Sequence, residues 1–188
     1  NAKLTVGVTA AWVNYDGTSV VFNKKFPEEA KALKHGMEEG LIEIANHGLT
    51  HCVVKDNLFR PKLFSSNRTY HREFWEWLGE DLHYNHIKES QDILQEFFDT
   101  DVVTLIPPGN VYCDFTVDAA KKYGIKHINC QTHDAKQNSI NIISNNNVFA
   151  FHDKEIVEEG LDWLEEIFKK YQSHEYLFVN ELHKECNK

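Results

Sequence analysis

Apolar and polar positions alternate along the chain with two periods that take turns, one of two residues and one of three to four. Leu4, Val6, Val8 and Trp12 lie in a β-prone run with no charge after Lys3, the composition of a strand in a parallel sheet. Asn14-Tyr15-Asp16-Gly17-Thr18 ends that run in a turn, signalled by its Asp-Gly pair. Pro27-Glu28-Glu29 opens a helix, because proline suits a first turn and acidic groups suit the positive end of the helix dipole. Ala30, Leu33 and Met37 share one face of it, and Gly40 stops it. Ile42-Glu43-Ile44-Ala45-Asn46 then reads as a short buried strand.

Residues 52–68 read as a long loop. Helical spacing runs over 71–98: Trp75, Leu78 and Leu82 share a face, Ile87, Leu94 and Phe97 or Phe98 continue it, and a break falls near Asn85. A strand at 102–106 ends in Pro107-Pro108-Gly109-Asn110, and a short helix at 116–123 stops at Gly124. Strands at 126–130 and 148–151 flank an Asn-rich polar loop. An amphipathic helix covers 155–171, with Ile156, Leu161, Leu164 and Phe168, and a last strand covers 176–179. Alternating strands and helices define an α/β chain with a parallel sheet or barrel. No repeat or linker divides it, so residues 1–188 are expected to form one domain.

Composition narrows the partners. A formal net charge of -9 argues against nucleic acid or an anionic membrane as the main partner. No apolar run approaches the ~20 residues of a transmembrane helix. Cys52, Cys113, Cys130 and Cys186 are scattered without a C-x-x-C pair, which reads as free, reduced thiols and favours the cytoplasm. No signal peptide is visible after Asn1, and the sequon Asn67-Arg68-Thr69 matters only in a secreted protein.

The chemistry gathers where strands end. His47 and His51 follow the strand that stops at Asn46, and ligands in α/β proteins sit outside the carboxyl ends of strands. Two histidines four apart face one point if the turn between them is helical, which gives half of a tetrahedral zinc site. The other reading is a pair of helix-start histidines bonded to backbone. Pro107 to Asn110 make a rigid turn whose amides can face a ligand, or simply end a strand. His152, ending the strand expected at 148–151, can exchange a proton near neutrality, or can serve as a hydrogen-bonded structural histidine.

Glu43-Ile44-Ala45-Asn46-His47-Gly48-Leu49-Thr50-His51 resembles the second motif of the polysaccharide deacetylases, the NodB-homology or carbohydrate esterase family 4 domain, with Gly48 where Ser or Thr is usual. Pro107-Pro108-Gly109 resembles the third motif, with Ile106 where an arginine is usual and no aromatic before the glycine. His152-Asp153 resembles the Leu-His-Asp motif, and Glu175-Tyr176-Leu177-Phe178-Val179 the closing strand. The order is the family's, over residues 3–183.

That resemblance implies a (β/α) barrel of NodB type, distorted or incomplete. The strand from Leu4 resembles the family's second, so the first β/α unit of the seven-stranded type, with its Asp-Asp motif, is expected to be missing and the chain to be a fragment. It implies a metal-dependent hydrolase that removes acetyl groups from the N-acetylated sugars of a polysaccharide. A divalent metal, zinc foremost, would be held by His47 and His51. Asp16 is a substitute third ligand or a plain turn former, and Asp134 a weaker substitute. Pro107, Pro108, Gly109 and Asn110 would form the wall and supply an oxyanion amide. His152 would protonate the leaving amine, and Asp153 would orient it. Trp75, Trp77 and Tyr112 are candidates for stacking on sugar. The alternative is a non-catalytic NodB-like domain that binds carbohydrate or supports an assembly. A different metal hydrolase on a barrel is a third reading.

Overall fold

The computed structural model describes residues 2–14, 16–52, 72–130, 140–144 and 148–182. Strands β1 (Leu4–Val8), β4 (Ile42–Asn46), β5 (Thr104–Leu105), β6 (His127–Cys130) and β7 (Asn141–Ser144) lie side by side in that order, all parallel. Strands β2 (Ala11–Val13) and β3 (Ser19–Val21) form a separate antiparallel ribbon. Helices α1 (Phe22–Lys25) and α2 (Pro27–Glu38) join β3 to β4. Helix α3 (Glu80–Phe98) precedes β5, and α4 (Asp114–Lys122) joins β5 to β6. Helices α5 (Asp153–Lys170) and α6 (Val179–Leu182) end the described chain. Among the described residues the sheet does not close into a barrel.

The period of two in β4 sorts its side chains. Ile44 enters a core with Val8, Phe22, Ala30, Leu94, Phe98 and Val102, which puts it on the helix-covered side. Leu105, the backbone partner of Asn46, enters a second core with Phe74, Ile87, Val117 and Ile128. Glu43 points to the other side and is nonetheless buried. Its carboxylate accepts from Thr104 Oγ1 at 2.5 Å, Thr5 Oγ1 at 2.7 Å and the Asn180 amide at 3.3 Å. The inner face of the sheet is therefore polar at this level, with its buried charge hydrogen-bonded as burial requires.

Four features depart from the sequence reading. The apolar run from Leu4 to Trp12 is two strands, because the Ala10 and Ala11 amides turn aside to the Gly48 and Leu49 carbonyls at 3.1 and 2.7 Å. Helix α3 begins at Glu80 and passes Asn85 unbroken; the break sits at Gly79, whose φ of 80° belongs to the left-handed region. The strand expected at 148–151 instead lies earlier, at β7, where Ile128 and Ile142 pair. Phe149 and Phe151 pack on Trp163, with ring centroids 6.0 and 5.8 Å away. Finally, 176–179 makes no strand among the described residues. The Val179 amide donates to Thr5 Oγ1 at 2.9 Å and the Asn180 amide to Glu43, so side chains of the sheet start α6 where backbone pairing was expected.

Asn46 joins these layers. Its backbone pairs with Val8 and Leu105, and its fully buried side chain donates to Ser90 Oγ at 2.8 Å and Gln91 Oε1 at 3.0 Å on α3. Its Oδ1 accepts the Gly48 amide at 2.8 Å. An Asn46→Leu chain keeps the bulk and loses all three bonds. It should be less stable by about 2–4 kcal/mol, since each buried group left unpaired costs about 1–3 kcal/mol. Urea unfolding followed by circular dichroism measures this, and a loss below about 1 kcal/mol would contradict it.

Candidate functional site

His47 is the first residue past β4 and lies on the strand's inner parity, with Glu43 and Ala45. Its amide still pairs with the Val8 carbonyl at 3.0 Å, so strand geometry fixes its Cα. Its ring packs over Gly7, where an added Cβ would lie 3.4 Å from His47 Cβ and Cγ. Nδ1 stands 2.6 Å from the Ile106 carbonyl oxygen. A carbonyl only accepts, so Nδ1 carries the proton and Nε2 presents its lone pair. The backbone of Ile106, where the family's arginine is usual, thus sets the tautomer a metal ligand needs. Desolvation, then the neighbouring His51, draws the His47 pKa down to about 4.

His51 comes back to the same point. Its ring centroid is 4.8 Å from that of His47, with the planes at 60°. The turn between them is not helical: Gly48 has φ 82° and His51 itself φ 58°. The amides of Leu49, Thr50 and His51 all donate to the carboxylate of Glu73. Glu73 is a site residue the sequence reading missed, since nothing in local periodicity links it to a loop 22 residues earlier.

Pro108–Asn110 form a 3-10 turn, and Pro108 and Gly48 touch closely enough that a Cβ on Gly48 would come 3.2 Å from Pro108 Cγ. The Pro107 to Asn110 wall therefore borders the histidine loop. The Asn110 amide bonds the Pro107 carbonyl at 3.0 Å. The Arg72 side chain covers Gly109 and lies over Trp75, with 5.7 Å from its guanidinium carbon to the ring centroid. Trp77 is 57% exposed, whereas Tyr112 packs against the core.

His152 caps α5. Its amide donates to Glu155 Oε2 at 2.7 Å, and its Nδ1 lies 3.4 Å from the same oxygen. Its side chain is 82% exposed. Asp153 opens the helix, and its side chain lies outside the described residues, as does Asp134. Glu155 is the carboxylate seen beside His152. Its pKa is lowered first by the His152 backbone hydrogen bond.

Asp16 sits at the tip of the β2–β3 ribbon. It accepts from the Thr18 amide at 2.9 Å and Thr18 Oγ1 at 2.6 Å, and both bonds lower its pKa. No described contact brings it to His47 or His51. Cys52, next to His51, is buried with its thiol pushed up to about 12, first by desolvation, so it stays protonated at neutral pH. Among the described residues, Cys52, Cys113 and Cys130 form no disulfide. Among the same residues no three His, Cys, Asp or Glu gather to hold an ion. The donor set present, two imidazoles with one lone pair fixed outward, fits two positions of a zinc-type centre.

The family model for polysaccharide deacetylases matches residues 1–128, and the chain belongs to that family. A family 4 acetyl xylan esterase from Clostridium thermocellum, solved with a cobalt ion, aligns over 97% of this chain and 78% of its own, with TM-score 0.52 and 12% identity. With the family match, it makes the fold a NodB-type α/β barrel, here left open. A Mycobacterium smegmatis chain described as a polysaccharide deacetylase aligns over 70% of this chain and 34% of its own, at 16% identity and TM-score 0.43. A de-N-acetylase from Aggregatibacter actinomycetemcomitans aligns over 70% and 52%, at 15% identity and TM-score 0.41. The chain thus spans about a third and about half of those two proteins. A search of curated proteins returns no match. Among the described residues no helix is long and apolar enough to cross a membrane.

The depressed His47 pKa gives a pH dependence. Between the unfolded value of about 6.5 and the folded value of about 4, the unfolded chain binds a proton that the folded chain refuses. The stability from keeping His47 neutral is complete above about pH 6.5 and is lost as pH falls toward 4. With chelator present, His47→Gln should remove a share of that acid loss on the order of 2 kcal/mol. Urea midpoints of both proteins at pH 5 and 7 measure it, and parallel acid losses would refute it.

Proposed function

We propose that this chain, read as one domain over residues 1–188, is the metal-dependent part of a hydrolase that removes acetyl groups from N-acetylated sugars. The observation that carries the reading is the pairing of His47 and His51 at the carboxyl end of β4, with the Nε2 lone pair of His47 set outward by the Ile106 carbonyl. Membership of the polysaccharide deacetylases supports the substrate class, and the esterase of like fold was solved with cobalt.

In this reading His47 and His51 hold a divalent ion, zinc foremost. Such an ion, when bound, supplies Lewis acidity toward an amide carbonyl and a water of lowered pKa. Pro107 and Pro108 shape the wall against which the acetyl group rests. The Asn110 amide is taken up within the turn, which leaves the Gly109 amide as the oxyanion donor. His152 gives the leaving amine its proton, with Asp153 beside it in the chain and Glu155 at its Nδ1. Exposed Trp77 offers a face for a sugar ring.

Two observations favour a second reading, a non-catalytic NodB-like domain. Among the described residues no third His, Cys, Asp or Glu joins the histidine pair in a group that could hold a metal, and Ile106 stands in the place of the motif's arginine. Metal content by mass spectrometry, with acetate release from N-acetylglucosamine oligomers, separates the two. The enzyme reading expects near-stoichiometric zinc in the wild type, lost in His47→Ala with His51→Ala. It expects His152→Asn to keep the metal and slow acetate release by about 100-fold or more. A wild-type chain that takes up no added zinc sinks the enzyme reading in favour of the second.

A further inference from the structure

We propose that Glu73 is the positioning residue of the histidine pair, a buried carboxylate clip that Gly48 makes room for. The consequence for metal rests on the reading of His47 and His51 as ligands; the effect on the loop does not.

Glu73 is fully buried, and both its oxygens accept. Oε1 takes the Leu49 amide at 3.0 Å and His86 Nδ1 at 2.5 Å. Oε2 takes the Thr50 amide at 3.2 Å and the His51 amide at 3.0 Å. Three consecutive N–H groups aimed at one anion form a concave backbone nest, which here holds a side chain of the same protein. The clip cannot drift. Phe74 beside it is fully buried, the Trp75 carbonyl accepts from His83 Nε2 at 3.1 Å, and His86 belongs to α3.

Two backbone facts show what the clip does. His51 has φ 58°, a left-handed conformation that residues with a side chain adopt when their surroundings hold them there. The bond from its own amide to Glu73 is such a hold, and the same backbone turn aims its ring at His47. Gly48, also left-handed, has no room for a side chain: its Cβ would lie 2.1 Å from Glu73 Oε2. Glycine at a position where the motif usually carries Ser or Thr is therefore the steric counterpart of a glutamate arriving from another segment. Among the described residues Glu73 bonds to backbone amides and His86, so it acts through His51 and orients rather than reacts.

The test uses the full chain with Glu73→Gln, Glu73→Ala, His86→Gln, and Gly48→Ala in both the wild-type and Glu73→Ala backgrounds. The first readout needs no metal: amide NMR shifts of Leu49, Thr50 and His51. Glu73→Gln should move all three upfield as charge-assisted bonds weaken. The second is zinc affinity by chelator competition, which should fall about 10- to 100-fold, as it does when groups that orient ligands are removed. The third is a cycle: Gly48→Ala should weaken zinc in the wild type and add a smaller loss to Glu73→Ala, because the colliding oxygen is gone and only the strain of φ 82° and the Pro108 contact remain. If Glu73→Ala does not fold, Glu73→Gln and His86→Gln carry the test, the latter with the smaller effect.

Unchanged amide shifts in a folded Glu73→Gln chain overturn the clip. Shifted amides with unchanged zinc affinity overturn its positioning of the pair. Shifted amides in a chain whose wild type binds no zinc uphold the clip and refute the metal reading instead.

Discussion

A single carboxamide holds the candidate site to the fold. Asn46 is the last residue of β4, and its backbone is locked between β1 and β5. Its side chain reaches outward to α3 and forward to the Gly48 amide. Strand, helix and histidine loop thus meet at one fully buried polar group. A buried amide left without partners is costly, so this arrangement is close to all or none. His47 inherits its position from it: the residue before is fixed in three directions, and its own amide is still in the ladder.

The inner side of the sheet works by a related rule. Glu43 lies two turns of the pleat below His47 and gathers Thr5, Thr104 and the start of α6. The site therefore stands on a floor of hydrogen bonds, while the apolar cores lie on the helix-covered side. Directional contacts below and packing behind leave the histidine pair little freedom. A site that must hold two rings at one point gains from that rigidity.

Much of this was legible in the sequence because it is local. The strand Ile42–Asn46, the stop at Gly40, the short helix before Gly124 and the two histidines past a strand end all follow from side-chain period and from glycine. What escaped depends on partners far along the chain. The apolar stretch at 148–151 looked like a strand, but its aromatics pack on Trp163 instead. Residues 176–179 have strand-like composition, but the Val179 amide goes to Thr5 Oγ1 and the next amide, of Asn180, to Glu43. Glu73 carried no signal at all, because a carboxylate that seats on backbone leaves no pattern in either segment. Its one trace was an oddity elsewhere, a glycine inside the histidine motif.

That oddity constrains how such a chain can change. Positions 48 and 73 share one volume, and a side chain at 48 would overlap the Glu73 carboxylate at 2.1 Å. Restoring Ser or Thr at 48 first creates a collision; removing Glu73 first leaves three amides and His86 without their acceptor. Either single step passes through a damaged intermediate; the two together remove the Glu73 collision, while the left-handed φ of 82° and Pro108 Cγ at 3.2 Å still oppose a side chain at 48. The two positions are thus sterically coupled. A lineage that has accepted the clip keeps both residues or exchanges both, and neither position is free to vary alone.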